Sequence, residues 1–468
     1  MGTARTGTHR ALPQARGTPW GGQLPEASWI DQVSQDVPVV LDRVDKHGVL
    51  ANTAAIKAAG ITSDTPDPPG GSIVRDSTGR PTGLLRDSAV VILKTAQPPV
   101  NIDQRFAALE RAMKLFLAKG ITQVIDVGMI DFMWGPEAAW RDLEEVYMPA
   151  ANDGKLKLRV HTSVPLSTWR DMAEMTKNIG WSHPQGFLSW GTVKAFADGS
   201  IGSHTALMYQ PFGGSNSTGI WAIEKAKLIE DIVAADAAGL QVAVHAIGDR
   251  AVDEVLACFA EARTRNGPRA ASLPRHRIEH AEHVAGPDTI RGLKEANVFT
   301  VTNPLHLAVE EQSLLHALGP ERASPDRSYA FKSMIEAGVP MATGSDWPVA
   351  FPDALGGVHA AMYRRLHEEA TTGRAFKMHA PPIPEGGLSP EDALAAHTTA
   401  ADAHLMPGNA ALEPGIKVGT QADFVVLSGD PLSQSPGGLS VLETYVGGVK
   451  VYSSADEDFH HDYSHTEL

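Results

Sequence analysis

The chain has 468 residues, 43% of them hydrophobic and 20% charged, and a formal net charge of −15. That is the composition of an ordinary globular protein, too long for one small domain and suited to a barrel with insertions plus a smaller appended domain. The acidic balance argues against nucleic acid or an anionic membrane surface as a partner. No apolar run approaches the ~18 residues of a membrane span, and the single cysteine, Cys258, excludes an intrachain disulfide. A reducing, cytoplasmic setting fits these features.

Residues 1–24 are rich in Arg, Gly, Thr and Pro and read as disordered. Met1-Gly2 followed by Thr6 formally matches a myristoylation pattern, and the composition loosely matches a transit peptide, but both patterns are cheap. Residues 25–100 read as an inserted subdomain. In it Val37-Pro-Val-Val-Leu41 is strand-like, 51–59 is helical, and 65–71 and 79–83 are turns. From 101 to 405 one unit recurs: an amphipathic helix, a glycine, then a strand apolar on both faces. Phe106, Leu109, Met113 and Phe116 share a helical face ahead of Lys119-Gly120 and the strand that follows. Helices over 223–238 and 328–337 end likewise at Gly239 and Gly338. Strands are expected near 121, 157, 192, 241, 276, 298 and 340. Continuous apolar strands alternating with helices imply a parallel sheet and a TIM-like (β/α)8 barrel. Seven strands are found, so the missing one belongs before residue 121. After the barrel, Ser389-Pro-Glu-Asp caps a helix, and Ala422–Leu427 with a Gly447-Gly448 hairpin suggests a small β domain over 406–453. The acidic tail 454–468, with His460, His461 and His465, reads as solvated and disordered.

Four segments end in polar residues of the type that bind metals: Lys194 with Asp198, then His245, His280 and Asp346. Ligand-type residues at the ends of successive buried strands are how such a barrel builds an active site. A hydrolytic centre needs nitrogen and oxygen donors and a position for water, whose pKa the metal lowers to about 7. His245 and His280 are suited to be neutral nitrogen ligands, and Asp346 to bind weakly while shuttling the proton. Lys194 joins only if carbon dioxide converts it to a carboxylate, since an ammonium repels a cation. One at a time, each of these residues is more often structural; their order along the strands is what favours a site. Asp249 and His276 read as structural. Asp198, Ser200 and Ser203 are expected near a pocket, and Trp347, Trp190, His204 and His47 are further candidates to line it.

The runs Val193–Ser203, Val244–Ala251, Arg277–Ala281 and Thr343–Pro348 together resemble the amidohydrolase superfamily. Within it they are similar to the amidohydrolase-3 group, which includes YtcJ-like proteins and N-substituted formamide deformylase. Leu412-Glu-Pro-Gly and Ala422–Leu427 resemble the C-terminal half of the family's β-sandwich, and Trp29 to Ile61 its insert after the first strand. The resemblance covers roughly residues 20–455. It implies Lys194, His245 and His280 as the ligands of strands four, five and six, and Asp346 as the catalytic, metal-bound Asp of strand eight. It implies one or two divalent ions, zinc first among them, and a small-molecule substrate, for which Asp198, His204, Trp347 and His47 are the candidate contacts named above. Two departures stand out. The family's first strand ends in His-x-His, whereas none of the nineteen histidines here is two positions from another. His204 also stands where relatives often have Arg. The expectation is a metal-dependent hydrolase of C–N bonds, acting through metal-bound hydroxide, in a chain that lacks the N-terminal ligand pair. A homodimer is compatible with it. The residues leave open a truncated or pseudoenzyme form with an impaired metal site and no catalysis, and a barrel of lyase or isomerase chemistry.

Overall fold

The computed structural model describes residues 24–43, 47–98, 100–128, 135–366, 385–403, 415–433 and 435–456. Segments 1–23, 404–414 and 457–468, where disorder and a sandwich segment were expected, lie outside the described residues. Two compact units are present, one drawn from residues before 100 and one from 100 to 455.

The first unit holds an antiparallel sheet of β1 (Val40–Asp42), β2 (Gly48–Ala51), β3 (Gly71–Arg75) and β4 (Pro81–Asp87), in the order β1-β2-β4-β3. Asn52 starts the helix Thr53–Ala58 by accepting the Ala55 amide at 2.9 Å, and the same oxygen takes the Val39 amide at 2.9 Å. One short side chain thus satisfies an orphan helix donor and fixes the strand beside it.

The second unit is built on seven parallel strands: β5 (Gln123–Asp126), β6 (Arg159–Pro165), β7 (Leu188–Phe196), β8 (Gln241–Ala246), β9 (Arg277–His280), β10 (Phe299–Thr302) and β11 (Met341–Thr343). They pair strictly in chain order. β6 and β8 are buried along their whole length, and helices such as Ile102–Ala118, Lys225–Ala237 and Asp249–Asn266 connect the strands. Strand, crossover helix and neighbouring parallel strand, repeated, is the construction of a (β/α)8-type barrel, here with seven strands among the described residues. The expected strands are thus all found, and no described strand pairs with the outer edges of β5 or β11. Gly338 ends the helix Phe331–Ala337 at φ 78°, a left-handed position that glycine adopts without a Cβ clash.

Within the same unit, β12 (Phe424–Leu427), β13 (Val441–Val446) and β14 (Val449–Ser453) form a three-stranded antiparallel sheet. Gly447 and Gly448, at φ 59° and 76°, make the expected two-residue hairpin. This sheet is tied to β6 by a fork of two bonds from Arg159 to Asp423, at 2.6 and 2.9 Å, and to the helix before β5 by Thr444 donating to the Leu117 carbonyl at 2.7 Å.

Candidate metal centre at the strand ends

Register brings the strand ends level. Phe196 lies opposite His245, Ala246 opposite His280, and Thr302 opposite Thr343. Lys194 is two residues inside the end of β7, His245 is the penultimate residue of β8, His280 is the last of β9, and Asp346 follows β11 by three residues. His280 and Asp346 adopt φ 76° and 54°. Left-handed backbone costs a non-glycine residue about 1–3 kcal/mol, and such strain gathers at sites where the surrounding structure over-determines it.

The rings of His245 and His280 meet edge to face, 4.5 Å between centroids. His245 Nε2 is 3.0 Å from the Gly199 carbonyl and 3.5 Å from Asp198 Oδ1. Lys194 Nζ lies 3.7 Å over the Phe196 ring, and that ring is 5.0 Å from His245. Two residues that the sequence did not single out complete the group. His306, in the first turn of the helix Pro304–Arg322, has Nδ1 3.2 Å from Glu282 Oε1 and Nε2 4.0 Å from Asp346 Oδ2. His280, Glu282 and His306 are all buried, and each offers a ligand atom within 4.8 Å of the others.

The two imidazoles, His280 and His306, shift in opposite directions. Burial lowers the pKa of His280. Burial, the largest single influence, also opposes a charged His306, but the hydrogen bond to Glu282 and the charges of Glu282, Asp346 and Glu310 together outweigh it and hold that imidazole at about 9. Glu282 in turn is held below the usual carboxylate range: burial raises it, but the bond to His306 and the charges of His306, His280 and His283 together overcome burial. His306 Nε2 is buried without a hydrogen-bond partner among the described residues, a state that costs a polar atom about 1–3 kcal/mol. An unpartnered imidazole nitrogen beside a carboxylate, in a set of nitrogen and oxygen donors, fits a divalent cation of the zinc, cobalt, nickel or manganese type.

The other expected residues take varied places. Asp198 is fully buried, and its two oxygens accept the amides of Ile247, Gly248 and Leu207 at 2.8 to 3.0 Å, which pins the loop after β7 to the start of the helix after β8. Packing there is so close that a Cβ on Gly248 would come within 2.0 Å of the Leu207 carbonyl oxygen. His204 stacks on Phe212, centroids 4.6 Å apart, and the 39%-exposed Trp347 meets Phe116 edge to face at 5.4 Å. Trp190 is in the core, donating to the Gly180 carbonyl at 2.8 Å. Asp249 accepts the Tyr209 amide, and His276 is bound to Asp236 and to the Val242 amide, so both have the structural surroundings expected of them. His47 belongs to the first unit, where it is buried with Nδ1 2.7 Å from Asp87.

Comparison with known proteins now decides the family. A family model described as the amidohydrolase family matches residues 18–452. The chain belongs to the amidohydrolase family. It is 38% identical to Protein LONG AFTER FAR-RED 3 of Arabidopsis thaliana over 448 residues, 92% of this chain and 72% of that protein. It is 31% identical to the "Putative amidohydrolase YtcJ" of Bacillus subtilis (strain 168), over 91% of this chain and 76% of that one. Among solved structures, an uncharacterized metal-dependent hydrolase from Pyrococcus horikoshii OT3 superposes with a TM-score of 0.63 at 24% identity, covering 89% of this chain and 76% of that chain, and so shares the amidohydrolase fold. The expected YtcJ-like membership is borne out. Among the described residues, no helix of this amidohydrolase is long and apolar enough to cross a membrane.

Proposed function

We propose that this amidohydrolase hydrolyses a C–N bond in an amide, formamide or cyclic amide, using a divalent metal, zinc by preference, held among Lys194, His245, His280 and Asp346. The observation that supports the reading is the edge-to-face contact of two strand-end imidazoles, His245 and His280, together with Asp346, whose half-buried carboxylate in left-handed backbone is 4.0 Å from the His306 ring beside His280. A divalent ion in such a site supplies a water of lowered pKa and a polarised carbonyl. Asp346 takes the proton from the attacking water and delivers it to the departing nitrogen, which would otherwise leave as a poor anionic group. Its side chain is 29% exposed, so it is reachable by substrate while the imidazoles behind it are not. Lys194 serves as a ligand once carboxylated; as an ammonium it rests over Phe196. His204 and Trp347 are the proposed substrate contacts on the loops after β7 and β11, and Asp198 holds the first of those loops in place.

Asp346→Asn is the test. Turnover on a panel of amides, formamides and cyclic amides should fall by about 10²–10⁴, the usual worth of a positioned acid–base group. Metal content, counted by mass spectrometry, should stay nearly unchanged, because asparagine keeps an oxygen donor. Wild-type activity in that variant would sink the assignment.

A further inference from the structure

We propose that His306 is itself a ligand of the metal centre, through Nε2, and that Glu282 is the positioning residue that aims it. The inference rests on the metal-dependent reading above and adds a donor that the order of the strands does not supply.

Three observations support it. The first is the unpartnered nitrogen: Nε2 of His306 is buried, has no hydrogen-bond partner among the described residues, and is 4.0 Å from Asp346 Oδ2. The second is a shared division of labour between two imidazoles. Histidines that bind metals give their other nitrogen to a carboxylate or carbonyl oxygen, which fixes ring and tautomer. His306 Nδ1 is held by Glu282 Oε1 at 3.2 Å, and His280 Nδ1 by the Asn303 side-chain oxygen at 2.8 Å. Both rings therefore have Nε2 left for an ion. They are near parallel, with centroids 6.1 Å apart. His161 and His276 in the same barrel have both nitrogens occupied by protein groups.

The third is how the segment after β10 is tied down. The His306 amide donates to the Asn303 carbonyl at 3.0 Å, so the same turn that orients His280 also presents His306. The Asn303 side chain then donates to the Gly344 carbonyl at 3.1 Å, which joins this turn to the loop carrying Asp346. One short stretch, Asn303-Pro-Leu-His306, thus fixes three prospective donors at once. No described strand precedes β5 in the barrel to supply imidazoles from that side. His306 supplies one from the opposite side of the site.

The experiment is cobalt and zinc titration of the full-length, chelator-stripped protein, with ions counted by mass spectrometry and folding checked by a cooperative melt. His306→Gln should weaken binding at least tenfold, and Glu282→Gln by about 10–100-fold, the usual effect of losing a group behind a ligand. His183→Gln, which removes a histidine bound to Asn152 instead, should bind as wild type. His306→Cys gives a gain of signal that does not depend on comparing affinities: cobalt loading should produce a cobalt–thiolate charge-transfer band. Unchanged affinity in His306→Gln, or no such band in a folded, cobalt-loaded His306→Cys, overturns the assignment of His306 and leaves the hydrolase reading standing. A cooperatively melting wild type that takes up neither ion overturns both.

Discussion

Two buried polar layers cross this barrel, and they differ in what their polar atoms face. The lower layer lies toward the beginnings of the strands. There His161 reaches Ser189 and Thr192, Thr192 donates to Gln241, and Arg277 bonds Glu279 at 2.7 Å. Apart from Nη2 of Arg277, these groups satisfy one another. The upper layer, at the strand ends, uses the same residue types, yet His306 keeps an unpartnered nitrogen and Asp346 keeps partial exposure. Burial of histidine and carboxylate is therefore no sign of function by itself. An orphaned atom alone does not separate the layers, since Arg277 Nη2 in the lower one is orphaned too; what marks the upper layer is an orphaned imidazole nitrogen 4.0 Å from a part-exposed carboxylate.

That contrast can be broken from below. Arg277→Ala leaves Glu279 as an uncompensated buried carboxylate, which should cost about 3–5 kcal/mol in urea unfolding. Replacing both partners, Arg277→Met with Glu279→Leu, should bring stability back to within about 1 kcal/mol of wild type, since buried ion pairs exchange for apolar residues of similar volume with little net loss. Metal content should be the same in the double variant as in wild type. A double variant as unstable as Arg277→Ala would show that the lower layer does more than fill the core. One that folds but has lost its metal would show that the two layers are not separable.

Much of this was legible in the sequence, for local reasons. Strands such as β8 are apolar on both faces, Gly338 and the Gly447-Gly448 pair mark positions of positive φ, and Lys194, His245, His280 and Asp346 stand at or near the ends of strand-like segments. Glu282 and His306 were not read, and the cause is geometric. His280 and Ala281 both have left-handed backbone, φ 76° and 44°, so the alternation that sorts β9 into faces ends at His280 and does not extend to Glu282. His306 lies one turn into a helix, where the period changes from 2 to 3.6. A signal was available in the polar Asn303 and His306, one and four residues past the end of β10, much as Asp346 follows the end of β11 by three. Asp198 is the converse case. Its sequence places it in a loop near the site, but only tertiary structure shows its carboxylate given over to three backbone amides.

Acid sharpens the comparison with a smaller effect. Burial, assisted by Arg277, pushes His161 down to about 3, and burial pushes His397 down to about 4. Both are therefore neutral when folded at moderate acidity, whereas the unfolded chain protonates them near 6.5. The unfolded state thus binds more protons below that pH, and stability falls as pH drops from about 6.5 toward the folded values. Thermal melts of the chelator-treated protein should show Tm declining from pH 6.5 to 4.5. The decline should be shallower in His161→Gln, which has one fewer group to titrate. An unchanged slope in that variant would mean that the lower layer does not set acid sensitivity.

The smallest expected effect tests whether the strand ends depend on the helices behind them. Ser389 accepts the Asp392 amide at 3.1 Å and so caps the helix Pro390–His397, whose last residue presents His397 Nδ1 to Thr343 Oγ1 at 2.6 Å. Thr343 ends β11, only three residues before Asp346. Ser389→Ala should cost about 1 kcal/mol, the typical worth of an N-cap, read as a small drop in Tm. If the position of Asp346 is set by β11 and the Asn303 tie to Gly344, kcat/KM should not move. A loss of activity larger than the loss of stability would place the Ser389 helix among the supports of the site, acting through His397 and Thr343.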